Sequence, residues 1–584
     1  MPTQKCQIRS KGPIGGLVDQ RVMVVAAVDS VDLAAKSVAV VVAVVVMTAV
    51  AVVVDSVAAV VVAVAISVAA NHAVYFKQPG TLHFAGARFS FSRKNFPGLD
   101  WAVLIRTMTI SRFLLLTLPL ALTSCVSLNP LGRDSTGPIP RPARSAPELE
   151  KKFAWGISTA SYQYEDPDVK PGQKDWFYTD WDVLISEGKA PEKGNALYSW
   201  THFDKDLAAL KKTGVTHYRF SIEWGRVEPE PGVFDEQAID RYVEMARRLK
   251  QAGIEPVVCL WHFTFPDWLY DKKNPKHSNW LHPEARPRWN AYLDKVLPRL
   301  APYTNYFAPQ NEPNGQITTA YIVGQWPPAM ILAFGTYWKA IDASTGMFRD
   351  AAARIKKVKP SAKVVSVEAL PWWDKAPLDP GNLIYNTMIH GNTDHLDRVW
   401  DVCDILGINY YYSQKAGPLS LLAESYRHGH NFTMMGWRID PEGLYKQIRR
   451  VGDRYGKPMM ITENGIATLK DEKRIRYMRE HIDAVGRAIR DGYDVRGYFS
   501  WSLADNYEWH YGYKAKFGLA TMNPITFERE LKPSAFFYRD TIRSKPKVKN
   551  ISDFQILSFP VFRRGFSGMA RRHSTKPEST GSQM

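Results

Sequence analysis

The chain has 584 residues, 45% of them apolar and 12% aromatic, enough for a large packed core in one α/β barrel with extensions or in more than one domain. Its net charge of +17 would suggest a nucleic-acid partner if it covered a folded surface. Instead, residues 1–107, 108–146 and 541–584 carry net charges of +5, +3 and +7, so the region between is nearly neutral, which speaks against a phosphate-binding surface there.

Residues 1–107 do not read as a folded domain. Val38 to Ala70 is almost a two-letter Val/Ala text without turn residues or amphipathic period, and its 17-residue run before Asp55 is barely long enough to raise a membrane-spanning reading. We read it as upstream sequence outside the mature protein, with the true start at Met108. From there, "MTISRFLLLTLPLALTSC" has Arg112, an apolar stretch from Phe113 to Leu122, and then small residues, the parts of a secretory signal. It ends in Leu122-Thr123-Ser124-Cys125, which resembles the lipobox of bacterial lipoproteins. That resemblance implies a signal over 108–125, lipid on Cys125, membrane anchoring, and a location in the periplasm or at the outer membrane. Residues 126–147, rich in Pro, Ser and Arg, then read as a tether.

From Phe153 the chain alternates apolar strand-like runs with amphipathic helical patterns. The strand candidates are "FAWGIS" (from Phe153), "HYRFSIEW" (from His217), "EPVVCLWHF" (from Glu255), "NYFAPQNE" (from Asn305), "KVVSVEAL" (from Lys363), "CDILGINYYY" (from Cys403), "PMMITENG" (from Pro458) and "VRGYFSWS" (from Val495). Between them lie helical patterns such as Phe234 to Gly253 and Asp471 to Gly492. Eight near-continuously apolar strands, each followed by a potential crossover, predict a parallel sheet buried on both faces and closed as a (β/α)8 barrel over residues 148–548. The remainder, 549–584, reads as a basic disordered tail. Cys259 and Cys403 lie in or beside strand-like runs, where a cysteine is usually a small hydrophobe. No metal-ligand spacing occurs, and no cofactor is expected.

Active sites of this fold form at the C-terminal ends of the strands. Arg219 lies within the second strand, and His262 ends the third. Asn311 and Glu312 end the fourth, Asn409 and Tyr411 the sixth, and Glu463 the seventh. Each alone could be a packing or capping residue; together they converge on one mouth. Two carboxylates there, Glu312 and Glu463, can divide acid and nucleophile roles in glycoside cleavage. A separation of about 5 Å would permit direct attack with retention, and roughly 6.5–9.5 Å would leave room for water and inversion.

The motifs "FAWGISTASYQYE", "YRFSIEWGRVEPEPGVFD", "WHFTFPDWL", "QNEP", "AYIVGQWPPA", "LGINYYY", "ITENG" and "SWSLADNYEWHYGYKAKFGL", in this order over residues 150–545, resemble glycoside hydrolase family 1, the β-glucosidase and β-galactosidase family. The resemblance implies a retaining β-glycosidase acting on β-glucosides, β-galactosides or β-fucosides, with Glu463 as nucleophile and Glu312 as acid/base. It implies that Arg219 and Tyr411 support Glu463 and that Asn311 holds the sugar 2-hydroxyl. Gln163, His262, Asn409, Trp501, Glu508 and Trp509 correspond to the sugar pocket, although core packing is the plainer reading of each tryptophan. An acid at Glu508 argues against 6-phosphosugars. A catalytically silent carbohydrate-binding relative would be expected to lack one of the two glutamates, while a transglycosylase would share the same covalent intermediate. The sequence departs from the family pattern at "APQNEP", and the stretch from Glu312 to Glu463 is shorter than typical.

Overall fold

The computed structural model describes residues 153–167, 179–376, 379, 382–417 and 429–544, together with the backbone of three short strands near residue 80. The expected signal, Cys125, the tether and the tail from residue 549 lie outside the described residues. The three short strands, Val74–Gln78, Thr81–Phe84 and Ala87–Phe89, form an antiparallel meander within the Val/Ala-rich leader. The sequence reading did not anticipate it.

Eight parallel strands close into a barrel: β1 (Ala154–Ser158), β2 (His217–Ser221), β3 (Glu255–Cys259), β4 (Tyr306–Ala308), β5 (Lys363–Ala369), β6 (Ile405–Asn409), β7 (Met459–Asn464) and β8 (Val495–Trp501). Each pairs with its sequence neighbours, and β8 returns to β1 through Gly497 opposite Ala154 to Trp501 opposite Ser158. All eight strand candidates are therefore present, each with shorter bounds than its apolar run.

Eight main helices cover the outside: α1 (Phe203–Thr213), α2 (Glu236–Gln251), α3 (Ala285–Leu300), α4 (Phe334–Val358), α5 (Leu383–Thr393), α6 (Pro441–Tyr455), α7 (Asp471–Arg490) and α8 (Pro533–Arg543). The pattern that predicts α2 shows how they attach. Ala238, Ile239, Tyr242, Met245, Ala246 and Leu249 recur at helical spacing and form its buried face. Asp235 caps its start, accepting from the Ala238 N–H at 2.9 Å. Gly214 stops α1 in the left-handed conformation that glycine adopts without a Cβ clash.

Inside the barrel, Ala154, Val257, Cys259, Ala308, Val365, Val367, Ile405, Met460 and Phe499 pack together. Phe499 fills the space left by Gly156, where a Cβ would fall 2.2 Å from its ring. Side chains thus plug the lower barrel, leaving chemistry to its upper rim. Cys259 and Cys403 are buried free thiols. Among the described residues, no helix is long and apolar enough to cross a membrane, and no cluster of His, Cys, Asp or Glu could hold a metal ion.

β4 departs most from the expected strand. Only Tyr306, Phe307 and Ala308 join the ladder, although "NYFAPQNE" reads as eight extended residues. Pro309 has no N–H to donate, and Glu312 turns into the left-handed region at φ 45°, ψ 49°. Separate bonds then secure the segment: the Asn311 N–H reaches the Trp261 carbonyl at 2.9 Å, and the Glu312 N–H reaches Val367 at 2.7 Å.

Candidate active site

The upper rim gathers the residues singled out from the sequence. Arg219 points into it from β2, and Asn409 ends β6 directly opposite Glu463 of β7. Gln163 enters on the short helix Ser161–Tyr164 after β1, while Glu508 and Trp509 come from the loop beyond β8.

Glu463 is held at both oxygens. Arg219 donates through Nη1 to Oε1 at 2.5 Å, and Tyr411 donates its hydroxyl to Oε2 at 2.5 Å. Arg219 and Glu463 form a salt bridge with side chains 0% and 4% exposed, so each charge offsets the cost of burying the other. Burial, then the charge of Glu463, push the Tyr411 hydroxyl well above its ordinary range, so it remains a donor. Arg219 Nη2 donates to Asn311 Oδ1, which also accepts from Asn409 Nδ2 at 3.2 Å. With its oxygen doubly engaged, Asn311 is fixed in one orientation.

Glu312 has a different environment. Its Oε1 accepts from Asn409 Nδ2 at 2.8 Å, and Asn409 is oriented by Thr462, whose hydroxyl donates to Asn409 Oδ1 at 2.7 Å. Burial first, and the neighbouring Glu463 charge second, raise the Glu312 carboxyl to about 8; Asn409 and Arg219 only moderate the rise. The left-handed backbone at Glu312 costs on the order of 1–3 kcal/mol in a residue other than glycine. Strain of that kind persists only where surrounding structure enforces it.

Beside the carboxylates lies a polar and aromatic pocket. Gln163 donates to Asn506 Oδ1 at 3.0 Å, to the Tyr507 carbonyl at 2.7 Å and to Glu508 Oε2 at 3.3 Å, leaving Gln163 Oε1 buried without a protein partner. His262 Nδ1 is likewise unpartnered, while Nε2 lies 3.3 Å from Asn311 Nδ2. Burial, then Arg219, hold the His262 ring well below its ordinary range, hence neutral. The ring runs nearly parallel to Trp501 and Trp509, with centroids 5.9 and 6.4 Å away. Burial, then Glu463, raise Glu508 to about 8. Unpartnered buried donors and acceptors beside flat rings suit a ligand that is polar at its edges and apolar on its faces, as a pyranose is.

Sequence reasoning missed several neighbours. Thr462 and Asn506 were legible as polar residues beside singled-out ones. Phe263, Trp181 and Trp326, which surround Trp509 at centroid distances of 5.3, 4.6 and 5.7 Å, carry no local signal that separates them from core aromatics.

A (β/α)8 barrel with two differently housed carboxylates at its mouth, beside such a pocket, defines a glycosidase. The family model for glycosyl hydrolase family 1 matches residues 145–384 and 385–547, and the chain belongs to that family. It is an O-glycosyl hydrolase of the retaining β-glycosidase type. Beta-glucosidase A of Acetivibrio thermocellus is 28% identical over 448 residues, covering 68% of this chain and 98% of the relative. The bifunctional beta-D-glucosidase/beta-D-fucosidase of Bifidobacterium breve is 29% identical, covering 67% and 97%. Among solved structures, the beta-glycosidase from Pyrococcus horikoshii aligns with a TM-score of 0.59 and 31% identity, covering 67% of this chain and 94% of its own.

Proposed function

We propose that the protein hydrolyses unphosphorylated β-glucosides, β-galactosides or β-fucosides, with Glu463 as nucleophile and Glu312 as acid/base. The observation that carries this division is the contrast in housing. Glu463 is charge-paired with Arg219 and hydrogen-bonded by Tyr411, whereas Glu312 keeps its proton to about 8. Glu463 attacks the anomeric carbon as the bond to the leaving oxygen breaks, and that oxygen takes the Glu312 proton. Once Glu463 is an ester, its charge no longer holds the proton on Glu312. Glu312 then accepts a proton from the water that attacks the anomeric carbon, releasing the sugar and restoring both carboxyls. Asn311, fixed by Arg219 and Asn409, is placed to bind the 2-hydroxyl with its Nδ2.

Gln163, His262, Trp501, Glu508 and Trp509 form the remainder of the sugar site. Lys514 is exposed, and no cation accompanies Glu508 to receive a 6-phosphate among its described interactions. Labelling with a 2-deoxy-2-fluoro β-glucoside followed by peptide mass spectrometry tests the roles: the adduct is expected on Glu463, and an adduct elsewhere overturns the assignment. A panel of p-nitrophenyl β-glucoside, β-galactoside, β-fucoside and 6-phospho-β-glucoside tests the sugar; preference for the phosphorylated substrate overturns the Glu508 argument.

The same proposal extends to location. Leu122-Thr123-Ser124-Cys125 after an apolar stretch supports lipidation of Cys125 and a place in the cell envelope, held stably by more than one acyl chain. Mass spectrometry of the native N-terminal peptide tests it: soluble mature protein with unmodified Cys125, or a peptide from the Val/Ala tract, overturns it.

A further inference from the structure

From Pro313, the residue after Glu312, to Trp338 the chain runs for 26 residues without Asp, Glu, Lys, Arg or His. At the 23% charged content of the whole chain, such a stretch would hold about six charges. It is not a buried segment. Val323, Ile331, Leu332 and Trp338 are 47%, 56%, 46% and 42% exposed, four of the twelve large apolar side chains that are exposed among the described residues.

The stretch forms one lobe fastened beside the sugar pocket. The Met330, Leu332 and Ala333 N–H groups donate to the carbonyls of Ala320, Ile322 and Tyr321 at 2.9, 3.0 and 2.8 Å, folding the outgoing chain back on the incoming one. Ile331 lies over Gly324, where a Cβ would come 2.4 Å from its Cγ1. On the inner side, Gln316 donates to the Pro327 carbonyl at 3.2 Å and accepts from Trp280 Nε1 at 2.8 Å. His510, next to Trp509, bonds the Gln325 carbonyl. Trp326 packs on Phe263 at 4.6 Å and on Trp509 at 5.7 Å. Trp326 at the pocket wall and the solvent-exposed Ile331 and Leu332 thus belong to one hydrogen-bonded lobe.

An acid that protonates the leaving oxygen lies on the leaving-group side of the scissile bond, and this lobe starts at the next residue. A second sugar there would need hydrogen-bond partners for its hydroxyls; the exposed side chains of the lobe are mainly hydrocarbon. We propose that the lobe binds an apolar leaving group, so that the preferred substrates are single sugars linked to a hydrophobic alcohol. This rests on the assignment of Glu312 as acid.

The test compares kcat/KM for octyl β-glucoside, below its micellar concentration, with that for cellobiose in the wild type and in Ile331→Ser/Leu332→Ser. β-Glucosyl fluoride, whose leaving group is a single atom too small to reach the lobe, serves as the control for the chemistry. The wild type is expected to favour the octyl glucoside by at least tenfold. The double variant should lose about tenfold on it, about 1.4 kcal/mol, with cellobiose and the control within twofold of wild type. Preference for cellobiose, an equal loss on all three substrates, or no loss on octyl glucoside overturns the proposal while leaving the glycosidase reading intact. No turnover of the control by the wild type overturns both. Sedimentation velocity adds one arm: a dimer that the double variant dissociates assigns the lobe to a second copy and overturns the proposal.

Discussion

Both polar atoms of the Gln310 amide are engaged by one residue of α4, Ser344: Nε2 donates to the Ser344 carbonyl at 3.1 Å, and Oε1 accepts from its hydroxyl at 2.9 Å. Both residues are 0% exposed. The pair lies where the β4 ladder has ended and Pro309 offers no donor, immediately before Asn311 and Glu312. It takes over from the missing ladder the task of fixing the acid/base segment. Gln310→Leu or Ser344→Ala should therefore loosen Glu312 without removing it. The expected result is a loss of about tenfold in kcat/KM on alkyl glucosides, whose leaving oxygen needs the proton, and under twofold on dinitrophenyl glucoside. Ser344→Thr, which keeps the hydroxyl, should restore the wild-type profile. Equal loss on good and poor leaving groups would mean that the pair only stabilises the fold.

The two carboxylates separate by chemical rescue. Glu463→Gly should lose hydrolysis by several orders of magnitude, recover with added azide or formate, and give a product of inverted configuration, because the small anion attacks from the face that the carboxylate vacated. Rescue with retention would place the nucleophile elsewhere. Glu312→Ala should keep partial activity on aryl glycosides whose leaving group departs without a proton. Uniform loss across leaving groups would contradict its role as acid.

The barrel was legible because eight buried parallel strands leave eight apolar runs, and because polar residues at their ends, such as Arg219 and Glu463, stand out against that background. Runs alone do not show where pairing stops. The end of β4 depends on Val367 and Trp261 accepting from Glu312 and Asn311, contacts with two other strands. The same limit hid Gln310, a departure from family pattern whose meaning depends on Ser344, 34 positions later. It also hid the small parallel pair Trp372–Lys375 and Ser413–Ala416, four residues each and joined only through tertiary structure. Asn409 was legible as a strand-end polar residue, but its grip on both Asn311 and Glu312 was not.

That grip gives a prediction in pH. Glu312 acts as an acid only while protonated, so kcat/KM should fall on the alkaline side with a midpoint near 8, the value that burial and Glu463 impose. Glu508 titrates in the same range, so the limb belongs to both carboxyls. The Asn409 hydrogen bond favours the ionised form of Glu312 and lowers its pKa. Asn409→Ala should therefore move the Glu312 component to higher pH while reducing the maximum rate. A pH–rate profile with an unmoved or acid-shifted limb would refute this account of the Glu312 environment.

Glu223, after β2, provides a test of stability apart from catalysis. It is 1% exposed and accepts from the Ser161 hydroxyl at 3.0 Å and the Thr264 hydroxyl at 2.8 Å. Burial is the leading cause that raises its carboxyl to about 8, with the Glu165 charge adding to the rise; the two hydroxyls and Arg226 oppose it. In the unfolded chain it titrates near 4.5. Below that pH both states hold the proton, and its contribution to stability is flat. Between about 4.5 and 8 folding takes up a proton, so stability falls as pH rises, by at most about 1.4 kcal/mol per pH unit. Above 8 both states are ionised and the loss, on the order of 5 kcal/mol, is complete. Glu223→Gln removes this titration and keeps an acceptor for the hydroxyls. Its melting temperature relative to wild type should rise from pH 5 to about pH 8 and level off by pH 9, because the wild type alone bears the growing cost of a buried charge. A difference in melting temperature that stays constant over that range would show that Glu223 ionises freely in the folded protein.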